Sequence, residues 1–373
     1  MARPKRKPQK NRNPTAAFLV LGVATIILAI LVIYQLFLIN GLTNKINLQS
    51  ILIATLSNKT STNTTGSNLA PLPTYNIQSE PVVPPLSLSA YPVITENQTF
   101  GKRLTGINSQ LNQSELAVIN NAPNSYFEIA GEMLLNGTVH NVIVTSSWQK
   151  VNNFTVNGKP SVIYYGSVTC IFCGENRWAM ALALGKFGNF GHLFKGYSSL
   201  GDGDVPTLYW RPIEYSNTTM NIGSFYNSSY INFLSLEDSN PITGGFNLQT
   251  FQQVGSELNT TGNLAYIDAF SYINKIGTFS GTPYTIWGRY VVSGADAVDF
   301  GNTTPSAPPL PLTNMTHEQV LAQLANPNDQ FAWTEYAGAD VYIALTCASI
   351  NNTAQVCSLP AIQKLESRMG VGS

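Results

Sequence analysis

The sequence predicts an α/β fold, an α+β mixed sheet with helices packed on it. Three observations predict it. Val162 to Tyr165 is a short β-branched and aromatic run of the kind that forms a buried strand. After Cys173, the residues Trp178, Ala181, Leu182 and Gly185 recur at helical spacing. Further on, two β-rich runs flank Gly288-Arg289, which reads as a hairpin turn. Strand, helix and hairpin together require a sheet covered by helices.

The elements follow in order. Residues 1–15 form a basic head, with Arg3, Lys5, Arg6, Lys7, Lys10 and Arg12 and no acid among them. Residues 16–39 carry no charge and are long enough to span a hydrocarbon core of about 30 Å. The positive-inside rule then expects a single-pass membrane protein with its N-terminus in the cytoplasm and its C-terminal domain outside the cell. Beside a membrane span the basic head is a topology signal, and no nucleic-acid partner is expected. Residues 40–90 predict a short juxtamembrane helix and a Ser/Thr/Pro-rich linker. An extracytoplasmic domain is expected over 91–373.

Within that domain, helices are expected over 114–121 and 126–135, and strands over 139–145 and 154–156, with Asn157-Gly158 a turn before the Val162 strand. The strand expectations continue with 194–198, 205–210 and 230–236, the last two around a polar insert. Residues 248–258 read as helix, and 265–276 is ambiguous between helix and strand. Helices are expected over 315–326, 339–348 and 360–369.

Charged residues make up 11% of the chain and its net charge is zero, against about 25% charged in ordinary soluble proteins. Twelve Asn-x-Ser/Thr sequons, from Asn58 to Asn351, all lie beyond residue 39. A glycosylated surface would keep such a chain soluble without ionised carboxylates, which suits an acidic exterior; an Asn- and Thr-rich chain also produces sequons by chance.

The cysteines carry the chemistry. Cys170 and Cys173 fall where a strand ends and a helix begins. A thiol at a helix N-terminus faces unpaired amides and the positive end of the dipole, and both favour the thiolate. Cys170 is therefore the candidate attacking thiolate and Cys173 the candidate resolving thiol. A static disulfide and half of a zinc site are the alternatives. The spacing of Cys347 and Cys357, the only other cysteines, does not suit a zinc half-site, and no metal is expected. Cys347 and Cys357 are expected to form a structural disulfide; exchange of electrons with the first pair is the alternative reading. Thr282-Pro283 opens the first hairpin run and is a candidate cis-proline, with an ordinary trans proline entering an edge strand as the alternative. Trp178 is expected in the core, and Arg177 either solvated or paired with Glu128, Glu132 or Asp268. His140, His192 and His317 form no ligand or catalytic pattern, and Gly201-Asp-Gly-Asp204 reads as a turn. Phosphate-loop, dinucleotide and hydrolase motifs are missing.

Strand, dithiol helix, strand, insert, Thr-Pro hairpin and helix follow one another in the thioredoxin order, with insertions. Four stretches carry a closer resemblance: Tyr126-Phe127-Glu128 with Ala130-Gly131-Glu132; Tyr165-Gly-x3-Cys170-x2-Cys173-x3-Arg177-Trp178-Ala179; Gly-Arg-Tyr-Val-Val-Ser-Gly at 288–294; and Cys347-x9-Cys357. In these the chain resembles the crenarchaeal, membrane-anchored family called domain of unknown function 929, over most of 91–365. The resemblance implies a thioredoxin-like domain outside the cell. A cis Thr282–Pro283 bond lying against Cys170, and a substrate-binding backbone at Thr282 and Pro283, are what a thioredoxin-like domain implies. Thioredoxins commonly carry Trp before the first cysteine and Gly-Pro between the pair; here Thr169 and Ile171-Phe172 stand there.

The functional expectation is thiol–disulfide exchange on extracytoplasmic protein thiols or disulfides, without a cofactor because the two sulfurs carry the electrons. A membrane redox partner would restore the site. The rival expectation is a non-enzymatic surface glycoprotein whose domain is a binding or structural module.

Overall fold

The structure is a computed structural model. It describes residues 75–78, 81, 93, 106–139, 142, 148–198, 205–213, 219–239, 251–276, 282–293, 312 and 315–372, all within one compact unit, Pro71–Ser373. Among them no helix is long and apolar enough to cross a membrane. The expected head and membrane span, at 1–15 and 16–39, lie outside the described residues.

The centre of the sheet is β4 (Lys159–Ser167). Its first residues pair with β3 (Phe154–Val156) across the Asn157-Gly158 turn, and β1 (Tyr75–Ile77) lies parallel to β3. From Ser161 onward β4 is flanked by β10 (Asn232–Ser239), parallel, and from Val162 by β11 (Tyr284–Trp287), antiparallel. Next to β11 come β12 (Tyr290–Ser293) and then β2 (Trp148–Lys150), and β8 (Thr219–Ile222) borders β10. Two ribbons stand apart from this sheet: β5 (Asn189–Phe190) with β9 (Tyr226–Asn227), and β6 (Phe194–Ser198) with β7 (Val205–Tyr209).

Alternation along β4 divides the core in two. Val162 and Tyr164 pack with α3 (Ile171–Leu184), α7 (Gln330–Ser349), α2 (Asn124–Leu135) and α8 (Pro360–Met369). Ile163 and Tyr165 pack on the opposite side with α4 (Phe251–Thr261) and α5 (Leu264–Ile276). A sheet buried on both sides explains why its central strand reads as a continuous apolar run. Large side chains such as Trp178 and Trp287 are fully buried, each contributing about 1.5–3 kcal/mol of hydrophobic stabilisation or more.

The remaining helices are α1 (Gln113–Asn120) and α6 (His317–Ala325). Each is closed by a capping box, Asn112 with Glu115 and Thr316 with Gln319.

The structure departs from expectation or settles it in several places, and β2 and β5 are strands that the sequence reading did not expect. Tyr75–Ile77 lies in the stretch read as linker, yet Ile77 is buried against β3. Three residues are too few to show a periodicity. The insert before β10 contributes β8 and β9. Residues 264–276 are helical, which settles the ambiguity there. Helix α7 starts at Gln330, nine residues before the expected position. It is buried on nearly all sides, so no polar stripe marks its first half. Most of the strand expected over 139–145 lies outside the described residues.

Candidate functional site

The site lies beyond the carboxyl ends of the parallel strands β4 and β10, where α/β sheets commonly place ligands. Residues 168–170 turn the chain from β4 into α3. Cys170 is the N-cap of α3, with extended backbone at φ −74° and ψ 122°. Its Sγ accepts the Cys173 N–H at 3.3 Å. The Cys170 thiol donates to the Thr282 carbonyl at 3.2 Å. This contact follows from register: Tyr284 of β11 lies opposite Tyr165 of β4, which carries Thr282 to the mouth of the dithiol turn. The Thr282–Pro283 peptide bond is cis. Four candidate residues, Cys170, Cys173, Thr282 and Pro283, are thus brought to one end of the sheet.

Cys170 and Cys173 are both free thiols, but their surroundings differ. Cys170 is 8% exposed and Cys173 fully buried, so only Cys170 can meet a substrate without rearrangement. Burial acts to raise Cys170, but the Cys173 thiol, the Thr282 side chain, the Cys173 amide and the Arg177 charge outweigh it, and its pKa falls below the usual thiol value. The Thr282 carbonyl acts the other way, since it accepts a hydrogen bond only from the thiol. Cys173 is pushed well above the usual value, first by burial and then by the neighbouring Cys170 sulfur.

Beneath the turn lies Arg177, one helical turn after Cys173 and fully buried. One of its terminal nitrogens donates to the Ser167 carbonyl at 2.9 Å and to the Glu237 carboxylate. The other donates to Ser198 Oγ at 3.1 Å and to Thr207 Oγ1 at 3.3 Å. Tyr164 and Tyr209 present their rings to the guanidinium at 5.8 and 5.6 Å, and the Tyr164 hydroxyl donates to Glu237 at 3.3 Å. The pair pulls in two directions. Glu237 and its neighbours hold Arg177 firmly charged despite burial, while burial raises Glu237 despite Arg177 and Tyr164. A buried guanidinium without an anion is costly, so Glu237 is the counterion that Arg177 requires.

Two glycines make room for this arrangement. A Cβ at Gly166 would meet the Tyr164 hydroxyl at 2.0 Å, and one at Gly174 would meet Ser198 Cβ at 2.7 Å.

Sequence reasoning missed Glu237 as the partner of Arg177. The signal was present in Glu237-Asp238, two acids closing the mostly apolar run Phe233-Leu-Ser-Leu236. Placing them beside Arg177 requires knowing that β10 pairs with β4.

A family model matches residues 147–347, just over half of the chain. The chain belongs to that family, described as Domain of unknown function (DUF929). The match takes in the dithiol turn, Glu237, the Thr282-Pro283 hairpin and α7 as far as Cys347. No curated protein and no solved structure matches the chain.

The other candidates are structural. Cys347, near the end of α7, is disulfide-bonded to Cys357 in the 3-10 turn Gln355–Ser358, with Cα atoms 5.5 Å apart. Both are buried. Trp178 lies in the core and donates to the Pro206 carbonyl at 3.0 Å. His317 is buried; its Nε2–H donates to the carbonyls of Gly196 and Thr207 at 2.7 and 3.0 Å. Burial pushes its imidazole down to about 4. His192 contacts the Gln110 side chain at the surface. His140 and 201–204 lie outside the described residues. Among the described residues no group of three or more His, Cys, Asp or Glu is placed to hold a metal ion.

Proposed function

We propose that this chain is a membrane-anchored, extracytoplasmic thiol–disulfide exchange protein built on a thioredoxin-like sheet with insertions, acting on secreted or surface proteins. The observation that carries the reading is the asymmetry of the two sulfurs. Cys170 caps a helix, has some exposure and leans towards the thiolate, while Cys173 is buried and held as a thiol. An exchange site needs one sulfur to attack and one to wait. The strand order β10-β4-β11-β12, with the dithiol after β4 and Thr282 opposite, also supports a thioredoxin-like arrangement.

In the reducing direction, the Cys170 thiolate attacks one sulfur of a substrate disulfide. A Cys170–substrate disulfide forms, and the other substrate sulfur leaves as a thiolate and takes up a proton. Cys173 then loses its proton and attacks the Cys170 sulfur. The second substrate thiolate leaves and is protonated in turn. Two electrons pass from the dithiol to the substrate, leaving a Cys170–Cys173 disulfide and two substrate thiols. The oxidising direction is the reverse. A membrane dithiol or quinone-type redox partner would restore the starting state.

The test is turnover by the full chain in detergent, using dithiothreitol-driven reduction of insulin and reactivation of scrambled ribonuclease. Activity lost in Cys170→Ala is expected. No activity above that variant in either assay would sink the proposal. The low exposure of Cys170 favours a second reading, a surface glycoprotein with a binding or structural domain. In that case the thiols released by mild reduction would all react sluggishly.

A further inference from the structure

We infer that Arg177 and Glu237 are a positioning pair for this exchange: Arg177 clamps the turn that presents Cys170 and supplies the positive charge beside which its thiolate forms, and Glu237 sets how much of that charge the sulfur feels. The inference rests on the exchange reading above and goes beyond it by assigning residues outside the dithiol.

The clamp can be followed bond by bond. The Ser167 carbonyl accepts from Arg177 at 2.9 Å and also from the Cys170 amide at 3.2 Å, so the guanidinium and the nucleophile's own backbone share one oxygen. Ser198 Oγ, which accepts from Arg177, donates to the Val168 carbonyl at 2.9 Å. Thr207 Oγ1, which also accepts from Arg177, donates to the Gly174 carbonyl at 2.8 Å. Residues on both sides of Cys170 are therefore tied to one buried side chain. On the strand β10, the Asp238 carbonyl next to Glu237 accepts the Val168 amide at 3.0 Å, so the anion's strand holds the same turn.

The charges around the guanidinium can be counted by element. Glu237 comes from β10, Tyr164 from β4, Tyr209 from β7, and the Cys173 thiol from the start of α3; Cys170 in turn feels the Arg177 charge. Glu237 is the carboxylate among these groups. Water is excluded, since Arg177 and Tyr164 are fully buried and Glu237 nearly so, and charge interactions are strong where water is excluded. A fixed cation stabilises the thiolate, and the adjacent carboxylate partly cancels it. Removing one or the other must therefore move the thiolate in opposite directions. Loss of a merely structural contact has no reason to do so.

The experiment is the pH profile of Cys170 alkylation by iodoacetamide in the reduced full chain, read by peptide mass, in the unmodified protein and in Arg177→Met, Arg177→Lys and Glu237→Gln. Arg177→Met is expected to raise the midpoint by about one pH unit, which makes alkylation about tenfold slower below it. Arg177→Lys, which keeps the charge and loses the fork, should return most of that shift. Glu237→Gln should lower the midpoint. If Arg177→Met does not fold, the opposite displacement of Glu237→Gln and the retained midpoint of Arg177→Lys still decide the matter. The inference is overturned if Cys170 reacts fast in the unmodified chain while Glu237→Gln leaves the midpoint in place or raises it, or if Arg177→Lys is displaced by a full unit. Slow Cys170 in the unmodified chain would instead overturn the exchange reading itself.

Discussion

Helix α3 is buried between two polar regions that handle charge in opposite ways. On the side of β6, β7 and β10, Arg177 meets four oxygen acceptors and two aromatic rings. On the other side α7 brings Glu335 and Asp340 into the core. Among the described residues neither carboxyl meets a cation or a side-chain hydrogen-bond donor. Glu335 lies by the backbone of Ala179 in α3. Asp340 lies by Gly131 of α2, where a Cβ would come within 3.2 Å of its carboxyl. Burial raises both carboxyls well above the usual range; Ala179 opposes this slightly for Glu335, and Glu128 adds to it for Asp340. The comparison teaches that partners, rather than depth, decide whether a buried group keeps its charge. The side where a cation meets its acceptors adjoins the dithiol, and the side whose carboxyls burial pushes up builds the core.

The largest effect should come from breaking the Arg177 side. Arg177→Met leaves Glu237 buried without its cation, and a loss of about 3–5 kcal/mol is expected from urea denaturation. An unchanged midpoint would mean the pair is already solvated. Next, replacing Cys347 and Cys357 together by Ala opens a link between residues ten apart at the end of α7. The loop-entropy relation gives a loss of about 2–3 kcal/mol. No loss would detach the disulfide from the stability of the acid-bearing helix.

The carboxyls of α7 should give an effect that depends on pH. Their folded-state pKa values are raised, so the folded chain holds more protons than the unfolded one above the unfolded values, near 4. Their contribution is therefore complete below about pH 4 and is lost as pH rises through the folded values. Glu335→Gln and Asp340→Asn should melt higher than the unmodified protein at pH 7 and close to it at pH 4. The same difference at both pH values would contradict this account of the core. The smallest effects compare single hydroxyls on the two sides. Thr207→Val removes the bonds from Arg177 and to Gly174, and Tyr342→Phe removes a 3.0 Å bond to Asn176 on the α7 side. Each lost bond should cost about 1 kcal/mol. Only Thr207→Val should also slow exchange at Cys170.

How much of this was legible in the sequence follows the range of the interactions involved. The end of β4, the start of α3, the Gly288-Arg289 hairpin and the α6 and α8 helices come from local signals: β-branched runs, caps and turn residues. Cys170 as an N-cap is local too. The first half of α7 was not legible because Phe331, Trp333, Glu335 and Gly338 show no stripe when every side of a helix is buried. Nor was Glu237, which is 60 residues from Arg177 and adjoins it only through the parallel pairing of β10 with β4. The Thr282 contact was reachable only by assuming the strand order first.

The most direct test of exchange at Cys170 is covalent trapping. Membranes carrying the full chain with Cys173→Ala, run on non-reducing gels, should show new high-mass bands that disappear on reduction, because a mixed disulfide through Cys170 cannot be resolved. Cys170→Ala should show none. Bands with Cys170→Ala alone would reverse the two roles, and an absence of bands from both variants would contradict exchange at this site.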